Sequence, residues 1–489
     1  MAGNDVIKEN PLGTKPLGRL LFSLAIPTVI ANVVNALYNI VDQIFIGQGV
    51  GTLGNAATSV SFPLTTICLA IGLMLGLGSA AGFNLELGLA NASGKNMAAH
   101  RNHEERAKEI VGTAISAMVI GGVVILILVR LLLVPMLTLF GATENIMPYA
   151  KEYAGITSWG IPFFLFMTGS NPIVRADRSA KYAMTAVITG AVLNMILDPV
   201  FIFVFGWGIS GAAWATVISQ VISAVMLASY FPRFQSVHFT FHDFLPIVTE
   251  NMSREYSRSL KEYVSVLLHV CRLGLNSLIF QSSTLFVQVT MNNMLRVYGS
   301  QSIYGADTPI AVAGIVMKIN VIFISLMIGL ISGAQPICSY NYGAGKYSRV
   351  RGTVKLFMIW AFVIGLFSWA MFEMFPHQFI SLFGKAGGDK LYFEYAERFM
   401  RTFLFFVFLN GMQICSATFF PAIGKPGRGA FLSFSKQILF MIPLLFILPV
   451  FYGLDGVMYA QPVTDVLSFI MAVSFLIYEM QTMPKEDLS

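Results

Sequence analysis

Two lone carboxylates carry the chemistry that this chain suggests. Asp42 is the only charged residue between Leu20 and Leu85, and Asp198 the only one between Ala183 and Pro232. Both stretches are apolar enough to enter a membrane. An acid at bilayer depth costs about 2.5–3.5 kcal/mol on insertion scales, so it faces protein or a water-filled interior and marks an ion path. Asn32, Asn35, Asn39 and Asp42 fall on one helical face, and Asn194 precedes Asp198 by one turn. Burial disfavours the charged form of a carboxylic acid, and two neighbouring acids titrate as a unit. Carboxylates with amide and hydroxyl oxygens also suit a hard cation. These residue types therefore fit H⁺ and Na⁺ equally.

The elements that hold such residues must be membrane helices. The 489 residues are 56% hydrophobic and 11% charged, against roughly 25% charged in soluble domains. Apolar windows predict twelve spans, near 19–47, 55–82, 109–134, 147–169, 180–205, 209–230, 264–296, 309–334, 352–375, 393–420, 429–451 and 455–479. Met1–Pro16 is polar and lacks a cleavable apolar core, so the first segment is expected to stay as a helix. The N-terminal segment, the even-numbered loops and the C-terminal segment hold most of the 31 lysines and arginines. The odd-numbered connections hold Arg296, Lys385 and Lys390. The positive-inside rule then puts both termini in the cytoplasm of a multi-pass cell-membrane protein. This asymmetry explains the net charge of +6 without a nucleic-acid partner. Cys68, Cys271, Cys338 and Cys415 stand singly, as expected of free thiols.

The chain repeats itself. Ile71-Gly-Leu-Met-Leu-Gly-Leu-Gly-Ser-Ala-Ala81 matches Ile324-Ser-Leu-Met-Ile-Gly-Leu-Ile-Ser-Gly-Ala334, and Gly208-Ile-Ser-Gly211 matches Gly453-Leu-Asp-Gly456. Phe140-Gly141 pairs with Phe383-Gly384, in the same order. The fold class expected is an all-α integral membrane protein of twelve transmembrane helices, in two six-helix lobes related by a parallel pseudo-two-fold repeat. The organisation is a tail at 1–18, an N-lobe at 19–230, a cytoplasmic connector at 231–263, a C-lobe at 264–480 and a tail at 481–489.

The run Asn35-Ala-Leu-Tyr-Asn-Ile-Val-Asp-Gln-Ile-Phe-Ile-Gly47 resembles the first helix of the multidrug and toxic compound extrusion (MATE) transporters. Similar pieces are Asn194-Met-Ile-Leu-Asp-Pro199, Gly208-Ile-Ser-Gly-Ala-Ala-Trp-Ala-Thr216, and Gln335-Pro336 before Tyr342-Gly343-Ala344. Within that family the likeness is to the DinF-like and MepA-like branches. The resemblance implies a secondary active antiporter that exports bulky cationic or amphipathic compounds against inward H⁺ or Na⁺, without a cofactor. It places the coupling ion at Tyr38, Asp42, Tyr153, Asn171, Asn194, Asp198 and Thr216, with a helix kink at Pro27. Sodium, if it is the ion, is expected at Asp42, Asn194, Asp198 and Thr216. The NorM-like branch instead uses acids in the seventh and tenth spans, where this chain has amides such as Asn276, Asn410 and Gln413.

Asn39, Gln288, Asn292, Lys318 and Asp465 are candidates for a substrate cavity, the last two as a charged pair. Competing structural explanations are helix–helix hydrogen bonding for the asparagines and aromatic packing for Tyr38 and Tyr153. His238, His242 and Asp243 are expected in a solvated loop rather than around a metal. The expected partners are small-molecule substrates and the lipid bilayer, and the expected assembly is a monomer. A lipid-linked precursor flippase shares the two-lobed plan, but such lumens are richer in Arg and Lys. An intramembrane enzyme is the other alternative, and the chain has no HExxH, GxSxG or paired cysteines.

Overall fold

A computed structural model describes residues 10–93, 96–245, 259–305, 307–381 and 390–487. Residues 1–9 of the N-terminal tail, 246–258 of the connector, Phe383-Gly384 of the repeat and Lys385 lie outside them. In order, the main helices are α1 (Leu17–Gly49), α2 (Thr52–Ala92), α3 (Met97–Leu139), α4 (Met147–Thr157), α5 (Ile161–Ala176), α6 (Ala180–Pro199), α7 (Gly208–Ala228) and α8 (Leu260–Gly299). They continue with α9 (Asp307–Gly343), α10 (Tyr347–Met374), α11 (Lys390–Phe403), α12 (Val407–Ala422), α13 (Pro426–Phe434), α14 (Ile442–Tyr452) and α15 (Leu454–Thr482). Within hydrocarbon every backbone polar group needs an internal partner, which a helix supplies along its own length.

Among the described residues, 10 helices are long and apolar enough to span a bilayer, and the pair α11–α12, bent by 45°, makes an eleventh. The twelfth is the fourth in order, and it is broken. A 3₁₀ turn at Ser158–Gly160 separates α4 from α5, because Pro162 has no N–H to give Ser158. Several helices outrun the bilayer. α3 begins at Met97, well before the apolar window near 109. Asn96 accepts from the Ala99 amide (3.2 Å) and Arg101 pairs with Glu105 (3.5 Å), so a charged segment extends the helix into water.

The repeat is visible in backbone detail. Each fifth span carries a π-helical segment beside a proline: Val200–Val204 after Pro199, and Ser435–Met441 before Pro443. Gly208 and Gly453 both take left-handed φ, +54° and +59°, conformations that favour glycine. Their companions Gly211 and Gly456 lie against the preceding span, where a Cβ would come within 2.8 Å of Phe201 C and 2.4 Å of Leu448 C.

The lobes meet near the end that carries both chain termini. A Cβ on Gly274 of α8 would lie 1.8 Å from the Met74 carbonyl oxygen of α2, and one on Gly88 of α2 would lie 2.2 Å from the Tyr340 carbonyl oxygen of α9. Small residues there let backbones touch, the usual source of helix association where lipid removes the hydrophobic driving force. The last turn of α9 and the start of α10 also grip the N- and C-terminal segments. Asn341 Nδ2 donates to the Leu12 carbonyl (2.9 Å), and Arg349 donates to those of Leu12 (3.2 Å) and Lys15 (2.7 Å). Arg351 donates to the Met483 carbonyl (2.8 Å). Leu139 (82% exposed) and Phe451 (74%) belong to an outward apolar belt, as lipid contact requires. All four cysteines are free.

Candidate functional site

α1 and α6 pack side by side in the first lobe, and each delivers one acid. Asp42 sits in the last two turns of α1. Asp198 ends α6, with no solvent exposure. Pro199 has no N–H for the Met195 carbonyl, and five residues of π-helix follow. Such segments concentrate at functional sites. The two carboxyl groups lie within hydrogen-bonding reach of each other. Asn194 is buried and donates from Nδ2 to Asp198 Oδ1 (3.3 Å).

Three oxygens remain without a hydrogen-bond donor from the protein: Asp42 Oδ1, Asp198 Oδ2 and Asn194 Oδ1, all buried. No lysine, arginine or histidine is ion-paired with either acid among the described residues. Buried acceptors left unmatched cost roughly 1–3 kcal/mol each, more when charged. Two facing carboxylates have no hydrogen between them unless one is protonated. The cluster therefore lacks one positive charge. A proton shared by the acids, or a small hard cation on their oxygens, would supply it. Among the described residues no group of three or more His, Cys, Asp and Glu is arranged for a metal ion.

Tyr38 and Tyr153 lie within electrostatic reach of both acids, and the Tyr153 hydroxyl is bonded to Thr216 on α7. Six of the seven expected coupling residues thus form one cluster: the two acids, Asn194, Tyr38, Tyr153 and, through Tyr153, Thr216. Asn171 is engaged elsewhere: its Nδ2 donates to the Ala183 carbonyl (3.1 Å), and its Oδ1 accepts from Arg175. Pro27 is buried, and α1 stays helical through it.

The expected cavity residues divide. Asn39 is exposed on α1, where its Nδ2 donates to the Asn35 carbonyl (2.7 Å). Gln288 is exposed and Asn292 half-buried on α8, and Lys318 is exposed on α9. Asp465 corrects the expected pairing with Lys318. It is buried on α15, 3.4 Å from Lys436 Nζ, and also accepts from Gln461 Nε2 (3.0 Å). Lys436 lies in the second π segment and donates to Asn410 as well. A lone lysine and a lone acid in neighbouring spans were the signal for this pair. Glu479, also buried, is held by Lys425 (2.6 Å) and by Arg428.

The MatE family model matches residues 27–200 and 284–447, and the first segment includes both unpaired acids. The chain is 23% identical over 479 residues to the multidrug export protein MepA of Staphylococcus aureus (strain NCTC 8325 / PS 47), across 97% of each chain. It is 26% identical over 400 residues to the probable multidrug resistance protein YoeA of Bacillus subtilis (strain 168), covering 80% of this chain and 79% of that one. The outward-facing structure of a multidrug resistance MATE family transporter superposes with a TM-score of 0.85 at 23% identity, over 98% of this chain and 99% of the other. That likeness concerns the two-lobed, twelve-helix fold.

Proposed function

Because the chain belongs to the MatE family of membrane transporters, we propose that it is an antiporter driven by inward H⁺ or Na⁺, with Asp42 and Asp198 as the coupling site. Its cargo is proposed to be bulky, cationic or amphipathic compounds, as the names of the multidrug relatives suggest. The observation that carries this reading is the trio of buried oxygens without donors. A site built to hold its charge permanently would contain a resident cation. This one holds none among the described residues.

Coupling requires that ion and cargo favour opposite conformations. One charge crossing roughly 100 mV supplies about 2.3 kcal/mol, or about a fiftyfold gradient at about 1.4 kcal/mol per decade. With lobes at 19–230 and 264–480 and both termini in the cytoplasm, the glycine-lined seam is the cytoplasmic gate. In this reading that gate is closed in the conformer described. The acids of the first lobe favour cationic cargo over a flippase's anionic one. The proposed working unit is a monomer in the cell membrane, needing no cofactor.

The test is reconstitution into liposomes, with pH and sodium gradients imposed separately and a fluorescent organic cation as cargo. One of the two gradients is expected to drive accumulation. Transport that ignores both would overturn the reading.

A further inference from the structure

A second polar site lies at the terminal end of the first lobe, where α5 turns into α6. α5 closes with Arg178 N–H donating to the Arg175 carbonyl (2.9 Å) and Ser179 N–H to the Val174 carbonyl (3.2 Å). This pattern places Arg178 where glycine normally takes a left-handed conformation, and its φ is +65°. It is the only non-glycine residue with positive φ among those described. Strain of this kind persists where the surroundings hold the residue for another purpose.

Arg178 lines a cavity of about 570 Å³ together with Ser23, Ser179, Lys181, Tyr182 and Tyr230. Its Nε is buried without a hydrogen-bond partner. Neither Arg178 nor Lys181 is in an ion pair among the described residues. The adjacent Asp177 is committed to the Tyr230 hydroxyl (2.7 Å) and to the amides of Gln235 (2.7 Å) and Ser236 (3.0 Å). Helix α6 starts at the same wall without a side-chain cap, so its first amides and dipole add positive potential.

We infer that this pocket binds the phosphate of an anionic lipid headgroup, through the Arg178 guanidinium, the Lys181 ammonium and the opening amides of α6. A guanidinium with an unused buried N–H suits a phosphate oxygen. Basic pockets between membrane helices near a bilayer surface suit such headgroups. The apolar surroundings favour a lipid over free phosphate. Ser23, Ile26 and Ile30 share one exposed face of α1, while Val192 and Ile196 are exposed on α6. Acyl chains would follow these strips away from the pocket.

The test compares thermal unfolding of the purified full chain in neutral detergent, titrated with phosphatidylglycerol, phosphatidylcholine or inorganic phosphate. Phosphatidylglycerol is expected to raise the melting temperature of the wild type, and phosphatidylcholine is not. Arg178→Gly suits the left-handed turn, so it should fold at least as well yet lose the shift; Lys181→Gln should reduce it. An equal shift from inorganic phosphate, lost in both variants, would support the phosphate site and overturn the lipid as its source. A phosphatidylglycerol shift retained in both variants, or no shift in the wild type, would overturn the proposal.

Discussion

Asp465 in the second lobe is held by Lys436, 3.4 Å away, whereas Asp198 in the first lobe faces another acid. The two buried aspartates have opposite electrostatic situations. The Lys436 ammonium is a tethered cation that cannot leave, so Asp465 has its charge compensated without a mobile ion. Asp198 and Asp42 must recruit a charge from outside. A cyclic carrier needs the second arrangement at its coupling site, and the first suits a structural position.

Replacing Asp42 with Asn tests that distinction. The new amide brings a permanent donor to Asp198, so the remaining acid no longer requires a mobile ion. Asp42→Asn is expected to insert normally and abolish gradient-driven efflux, and Asp198→Asn to reduce it severely. Proteoliposome transport, with membrane insertion checked by expression and monodispersity, measures both. Wild-type rates in either variant would exclude the pair from coupling.

The charge pair of the second lobe makes a prediction about stability. Lys436→Met strands a buried carboxylate and should cost about 3–5 kcal/mol. The double variant Lys436→Met with Asp465→Leu removes both charges and should recover most of that loss, since apolar replacements of buried pairs are often neutral. Thermal unfolding of the purified proteins reports the difference. A double variant no better than the single would mean that the pair does more than compensate itself.

The two unpaired acids were legible because each stands alone in a long apolar stretch. The twelve spans and their repetition were equally plain from hydropathy and paired glycine motifs. Other features depended on tertiary context. The break at Ser158–Gly160 lies inside a continuous apolar window, so hydropathy alone runs through it. Isolation in sequence points from Asp465 to Lys318, another conspicuous lone charge, but Lys318 is exposed. The true partner, Lys436, comes within reach because α13, its π segment and α14 pack along α15. The left-handed Arg178 has no sequence signal, since only the backbone reveals it.

The seam between the lobes predicts a conformational effect. A methyl group on Gly274 would meet the Met74 carbonyl oxygen at 1.8 Å, so Gly274→Ala must part α2 from α8 near the terminal end. Cys338, buried on α9, serves as a reporter in a variant lacking the other three cysteines. Its labelling by a membrane-permeant maleimide should accelerate when Gly274→Ala is added, with efflux falling. Unchanged labelling would show that the lobes do not separate there.

Arg349 predicts that the N-terminal segment acts as a strap across the same gate. Residues 10–15 precede α1 of the first lobe, yet their carbonyls are held by Arg349, Asn341 and Lys346 of the second. Leu12 is fully buried beneath them. Inward opening would have to break these bonds, and charge-assisted hydrogen bonds contribute about 1.5–3 kcal/mol each. Arg349→Ala should therefore weaken the closed arrangement by a few such units at most, raising hydrogen exchange around Leu12–Lys15 and at the α2–α9 crossing together. Arg349→Lys keeps the charge but not the guanidinium fork that spans two carbonyls, so it should restore only part of the protection. Faster exchange confined to Leu12–Lys15, with the crossing unchanged, would make the segment a docked tail with no hold on the gate.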